Sequence, residues 1–207
     1  DWSWSRGLGD VYKSQVINTA RIRPGDSVAI IGLGGVGLNG IIGAKLGGAE
    51  TIIAVDIDPS KFSRAEELGA THCFDSRNND TIEEIRTLTN GGVDYAIDLA
   101  GVIPAMNTAY QIIRYGGSVI TAGLSPINTQ FSFNHSDLVA QEKSILGSYM
   151  GSCVPVSDVP RFLNLFQQGR LPVDKLIDGK ITFDDLNEGF DKLSKGEVVR
   201  QILMPNA

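Results

Sequence analysis

The chain has 207 residues, 42% hydrophobic and 20% charged, with mean hydropathy near zero, which is enough for one generous globular domain with an appendage. A net charge of −6 argues against a binder of nucleic-acid backbones, and no apolar run approaches the ~18 residues that cross a bilayer, so neither a nucleic-acid nor a membrane partner is expected. Cys73 and Cys153 supply neither a disulfide framework nor a C-x-x-C metal knuckle, and the start Asp-Trp-Ser-Trp-Ser lacks the features of a secretory signal, so a cytoplasmic protein is expected. The chain does not begin with Met, and its first residues look like neither strand nor capped helix, which leads us to expect a fragment or a truncated product.

In chain order, residues 1–9 read as irregular. Asp10 can cap a helix from Val11 to about Ala20, and Arg23-Pro24-Gly25-Asp26 is a turn. Val28 to Ile31 is short, apolar and β-branched, as a strand covered on both faces should be. Gly32, Gly34 and Gly37 follow in the G-x-G-x-x-G pattern, opening a small-residue helix over Val36 to Leu46 that Gly47-Gly48 ends. A strand over Thr51 to Val55 closes on Asp56. Pro59 starts a helix over Ser60 to Leu68 that stops at Gly69. His72-Cys73-Phe74 is a short strand, Thr81 to Leu88 a helix, Val93 to Leu99 a strand, Ala105 to Tyr115 a helix ending at Gly116-Gly117, and Ser118 to Ala122 a strand.

Beyond Pro126 the pattern changes. Phe131-Ser132-Phe133 alternates, Ser144 to Tyr149 reads as a last buried strand, and Asp158 to Gln168 as a helix. Lys180 to Phe183 and Gln201 to Met204 read as strands around an amphipathic helix over Leu186 to Leu193. The alternation predicts an α/β doubly wound parallel sheet (Rossmann) with a C-terminal helix/strand extension: an irregular segment 1–9, a dinucleotide-binding domain 10–150 and the extension 151–207.

The glycine turn and Asp56 carry the functional reading. Gly32 permits the turn, Gly34 lets a pyrophosphate approach the backbone, and Gly37 brings the helix close to the strand. The free N–H groups and positive dipole end of the helix then face the phosphates. Asp56 lies about 20 residues past the glycines, the spacing of an acid that binds adenosine ribose hydroxyls. A tight βα turn followed by a chance acid is the bland alternative. An S-adenosylmethionine-dependent transferase also uses a glycine turn with an acid after the second strand. Asp58 and Asp98 also close strands and read as structural, Asp58 as a cap before Pro59.

Ile31-Gly32-Leu33-Gly34-Gly35-Val36-Gly37, Val55 to Lys61 and Glu67 to Thr71 closely resemble the coenzyme domain of medium-chain zinc-type alcohol dehydrogenases. So do Gly92 to Ala96, Gly116 to Gly123, Phe183 to Phe190 and Gly196 to Arg200. The resemblance implies that Gly32, Gly34, Gly35, Val36 and Gly37 line the pyrophosphate and the face of the nicotinamide. It gives Asp56 both adenosine ribose hydroxyls, favouring NAD over NADP, with Lys61 touching the same ribose. Thr121, Ala122 and Gly123 would present main-chain groups to the carboxamide, Ser148 and Met150 would flank the nicotinamide, and Arg200 would reach the pyrophosphate. From the residues alone, Lys61 reads equally as a solvated lysine, Arg200 as an edge-strand charge and Met150 as core filling.

The resembled family also has an N-terminal catalytic domain with a zinc held by two Cys and one His. Nothing here matches it: His72 and Cys73 are adjacent on a strand and point to opposite faces. No catalytic residue and no metal ligand is therefore expected within the chain, and zinc only in the missing domain. The implied activity is hydride transfer between an alcohol and NAD in the full-length enzyme, the chain being inactive alone. The alternative is a non-catalytic dinucleotide-binding or assembly module. A homodimer through the last sheet strand is also implied, as in the family.

Overall fold

The computed structural model of the chain describes residues 15–205. β1 (Ser27–Ile31) and β2 (Thr51–Asp56) are interior strands of its main sheet, with side chains that alternate between two buried layers. Val28, Ile30, Ile52 and Ala54 enter one apolar cluster, and Ala29, Ile31, Ile53 and Val55 the other. Each fully buried isoleucine contributes up to about 3 kcal/mol of transfer free energy, so a strand covered twice anchors the sheet. Between the two strands runs α1 (Gly35–Gly47), buried over most of its circumference and closed by Gly48 in a left-handed conformation that returns its N–H to Ala44 and Lys45 carbonyls.

The remaining units repeat this crossover. Asp58 caps a 3₁₀ turn, Pro59–Lys61, by accepting from Ser60 N–H, and the turn leads into α2 (Phe62–Leu68). There follow β3 (His72–Asp75), α3 (Thr81–Leu88), β4 (Val93–Asp98), α4 (Ile103–Ile112), β5 (Ile113–Thr121), α5 (His135–Ala140) and β6 (Ser144–Gly147). All pairs are parallel, in the order β3-β2-β1-β4-β5-β6. The chain builds outward from β1 to β3, then restarts on the other side with β4. That reversal opens a crevice at the carboxyl ends of β1 and β4, where doubly wound sheets bind ligands.

The extension comprises α6 (Pro155–Gln167), a 3₁₀ turn (Val173–Leu176), β7 (Gly179–Ile181), α7 (Leu186–Ser194) and β8 (Gln201–Leu203), with β7 and β8 in a parallel pair. Phe162, Leu171, Val173 and Leu176 are buried in the same cluster as Val28 and Ile30, so this part of the chain rests on the α1 side of the main sheet. Among the described residues no helix is long and apolar enough to cross a membrane.

Several boundaries differ from the sequence reading. The helix expected to reach Tyr115 stops at Ile112 and turns straight into β5. Its terminal carbonyls are satisfied from elsewhere, Tyr110 O by Lys143 Nζ (3.0 Å) and Gln111 O by Arg86 Nη1 (2.9 Å), rather than by a glycine cap. Gly116 and Gly117 lie instead in an irregularity of β5, where Val93 faces Ile113 but Tyr95 faces Ser118. Phe131 and Phe133 form no strand; their rings stack 5.9 Å apart and lean on Tyr110. α5, for which the sequence reading gives no element, is capped at its start by Asn134, whose side chain accepts from Ser136 N–H. β6 is an edge strand with Leu146 41% exposed, not a buried one. Residues 15–20 form a π-helical segment (Gln15–Ala20); the start of the expected helix, the Asp10 cap and the irregular segment 1–9 lie outside the described residues.

Candidate cofactor-binding site

The glycine turn after β1 is built by three different constraints. Gly32 has φ +92°, its N–H donates to Val55 O (2.8 Å), and a Cβ there would come within 3.0 Å of Ala100 at the end of β4. A Cβ on Gly37 would lie 1.7 Å from Gly32 O, so only glycine lets α1 start this close to the turn. Gly34 differs: a Cβ there would meet nothing within 4 Å. It is also the N-cap of α1, with no side-chain cap. The first turn of α1, which includes Gly35, Val36 and Gly37, therefore presents N–H groups without an intrahelical acceptor beside open space, an arrangement suited to an anion.

Asp56 ends β2 next to this turn and is 7% exposed. Its Oδ2 accepts from Leu33 N–H inside the turn (2.6 Å), and its Oδ1 from Asp58 N–H (2.9 Å). Lys61 Nζ lies 3.1 and 3.3 Å from the two oxygens. Lys61 is thus not simply a solvated lysine: it is folded onto the acid expected to share its ligand.

At the other end of the crevice, Thr121 ends β5 and donates its hydroxyl to Asp98 Oδ2 (2.9 Å). Asp98, 2% exposed, also accepts from Ala100 and Gly101 N–H. Read from the sequence as structural, it is structural at the site itself, joining the ends of β4 and β5. The N–H groups of Ala122 and Gly123 donate to the Asp98 carbonyl (3.0 and 3.2 Å). Ser148 N–H donates to Thr121 O (2.9 Å), and the buried Ser148 hydroxyl pairs with that of Thr19 (2.9 Å). Ala122 and Gly123 can thus offer a ligand their carbonyls rather than their N–H groups. Met150 begins a short 3₁₀ turn, Met150–Ser152; its side chain lies outside the described structure.

The tail returns to the glycine turn from the extension. Val199 Cγ1 would be 3.3 Å from a Cβ on Gly35, which puts the half-buried Arg200 one residue from contact with the helix start. Asp178 holds this tail: it accepts from the N–H groups of Val199 and Arg200 and pairs with Arg64 of α2 (2.6 Å). Burial works to raise the Asp178 carboxyl, but those hydrogen bonds and the Arg64 charge outweigh it and hold the group below its ordinary value. Sequence reading missed this node, because its partners lie far apart along the chain and no local pattern joins them.

A family model described as zinc-binding dehydrogenase matches residues 35–168. The chain belongs to the zinc-binding dehydrogenase family. It is 36% identical over 191 residues to the rabbit (Oryctolagus cuniculus) alcohol dehydrogenase class-2 isozyme 2, covering 91% of this chain and 50% of that protein. Benzyl alcohol dehydrogenase from Acinetobacter calcoaceticus superposes with a TM-score of 0.90 at 32% identity, over 95% of this chain and 55% of the other. A Sinorhizobium meliloti protein described as a zinc-binding dehydrogenase and bound to NADP superposes at 0.85 with 28% identity, over 97% and 58%. The chain spans about half the length of the curated relatives it matches.

The zinc in the name of the zinc-binding dehydrogenase family does not fit these residues. Among the described residues no three His, Cys, Asp or Glu side chains come together to hold a metal. The Cys73 thiol is pushed up to about 11, chiefly by burial with the Glu66 charge adding, away from the thiolate that zinc requires. Cys153 instead hydrogen-bonds to Asp158. His72 is exposed and bonded to Thr71 (2.9 Å).

Proposed function

We propose that the chain binds NAD(H) in the cytoplasm, as the coenzyme-binding part of an alcohol dehydrogenase-like oxidoreductase that moves a hydride between an alcohol and NAD. Asp56 carries the reading: a buried carboxylate at the end of β2, tied to the glycine turn through Leu33 N–H and faced by Lys61. A carboxylate suits the two ribose hydroxyls, and its charge repels a 2′-phosphate, which supports NAD although one relative binds NADP.

In this reading Gly32, Gly34, Gly35, Val36, Gly37 and Arg200 hold the pyrophosphate. Asp56 and Lys61 hold the adenosine ribose. Thr121, Ala122, Gly123, Ser148 and Met150 surround the nicotinamide. Bound there, the nicotinamide supplies a hydride acceptor or donor at its C4. The protein's own part is orientation: Asp98 fixes Thr121, and Thr19 fixes Ser148, so the wall facing the ring is set before the ligand arrives. The polarisation of the alcohol belongs to residues outside those described, and by this reading the 207 residues are inactive alone.

We also read residues 10–150 as the coenzyme domain and 151–207 as the side turned towards a catalytic domain. The exposed Phe183, Phe190 and Leu193 support that orientation. The exposed edge of β6, with Leu146 and the nearby Tyr149, supports a homodimer through that strand. Calorimetric titration of the purified chain with NAD and NADP tests the coenzyme reading. Saturable binding of NAD, tighter than that of NADP, is the expected result; a chain that binds neither overturns it.

A further inference from the structure

The adenosine end of the crevice carries cations as well as acids, and each cation is already held. β3 lies directly beside β2 with Asp75 in register with Asp56, so the two acids end neighbouring strands about 4.8 Å apart and leave the sheet on the same side. Ser76 N–H donates to Asp56 O (3.0 Å), which fixes the start of the loop after β3 against the end of β2. The next residue is Arg77. Its guanidinium lies on Asp75, Nε at 3.0 and 3.2 Å from the two oxygens and Nη2 at 2.7 Å, while its own N–H donates to Asp75 Oδ1 (2.9 Å). The Arg77 charge also reaches Asp58, whose carboxyl is held below its ordinary value chiefly by hydrogen bonds from Ser60, with Lys61 and Arg77 adding. Asp58 in turn donates its N–H to Asp56. Two acid–cation pairs, Asp56–Lys61 and Asp75–Arg77, therefore line one rim.

An arginine near the acid of the second strand is the group that accepts a 2′-phosphate in NADP-binding sheets of this topology. We infer that Asp75 is a specificity-determining residue: by clamping Arg77 it withholds a guanidinium from a 2′-phosphate and so reinforces the choice of NAD. The inference rests on the coenzyme reading of Asp56. The physical terms are modest. Arg77 is 63% exposed, so its pair with Asp75 is a screened surface pair that a doubly charged phosphate could exchange once the acid is neutral. The carboxylate is the obstacle, not the geometry of the loop.

Asp75→Asn separates the two, because the amide oxygen can still accept Arg77 N–H and keep the turn. NAD, NADP and adenosine 2′,5′-bisphosphate are titrated calorimetrically into the wild type, Asp75→Asn and Asp75→Asn/Arg77→Ala. In Asp75→Asn, affinity for NADP and the bisphosphate should rise about fivefold, the scale of an exposed ion pair released, while NAD affinity stays within about twofold. The rise should shrink at high salt, and most of it should disappear in the double variant. Unchanged NADP affinity in Asp75→Asn, with wild-type binding of NAD intact, overturns this inference alone. A gain fully retained without Arg77 also overturns it. A wild type that binds no NAD overturns the inference together with the coenzyme reading.

Discussion

Gly34 and Gly37 sit three residues apart, yet the structure asks different things of them. Gly37→Ala drives a methyl group into the Gly32 carbonyl and forces α1 away from β1, at a cost of at least about 2 kcal/mol. Gly34→Ala puts the same methyl into open space at an ordinary φ of −74°, so stability should fall by no more than about 1 kcal/mol, the cost of a poorer N-cap, while NAD binding weakens. Thermal unfolding with and without NAD reads both: a strongly lowered melting temperature for Gly37→Ala, and a slightly lowered one with a lost ligand shift for Gly34→Ala. Full NAD affinity in Gly34→Ala would remove the pyrophosphate from this turn. The turn and Asp56 were legible in the sequence because their pattern is local, with fixed spacing after an apolar run. The Lys61–Asp56 pair was legible only as a choice between ligand and solvated lysine; the fold decides that the two meet. The tie of Asp98 to Thr121 was not legible, since it depends on β4 and β5 being neighbours.

Elements with strong local punctuation were read closely: α1 with Gly48, α2 with Pro59 and Gly69, and α3 over the residues predicted. Elements that end on distant partners were not. α4 stops early because Arg86 and Lys143 take its last carbonyls, and nothing near Ile112 announces that. The docking of the tail obeys the same logic through Asp178, and it carries a pH signature. The Asp178 carboxyl is depressed in the folded chain relative to an ordinary value of about 3.9, so its contribution to stability is complete above that value and is lost as pH falls through the folded one. Asp178→Asn should lower stability at pH 7 and lose less than the wild type between about pH 5 and pH 3. Urea unfolding at the two pH values measures this; an equal loss in both proteins would mean that Asp178 does not hold the tail.

In the molecule as a whole, sheet order places the crevice; the alternation of strands and helices predicted a doubly wound parallel sheet, and the structure supplies the order of its strands. Alternation cannot say which faces are left for other partners. The sequence predicts a buried last strand that also pairs with a second copy; the fold puts β6 at the sheet edge with Ile145 packed on the core and Leu146 exposed, which suits that pairing. Sedimentation equilibrium should show a dimer that Leu146→Lys shifts towards monomer; a wild type that is monomeric at every concentration contradicts that pairing. Whether the crevice holds NAD through Asp56 is decided by calorimetric titration of the purified chain with NAD, wild type beside Asp56→Ala. One saturable site is expected in the wild type, with NAD affinity reduced about tenfold or more by the substitution and a narrowed preference over NADP, in line with the loss of a charge-assisted hydrogen bond worth about 1.5–3 kcal/mol. Equal NAD affinity in the two proteins, or no saturable binding in either, would contradict it.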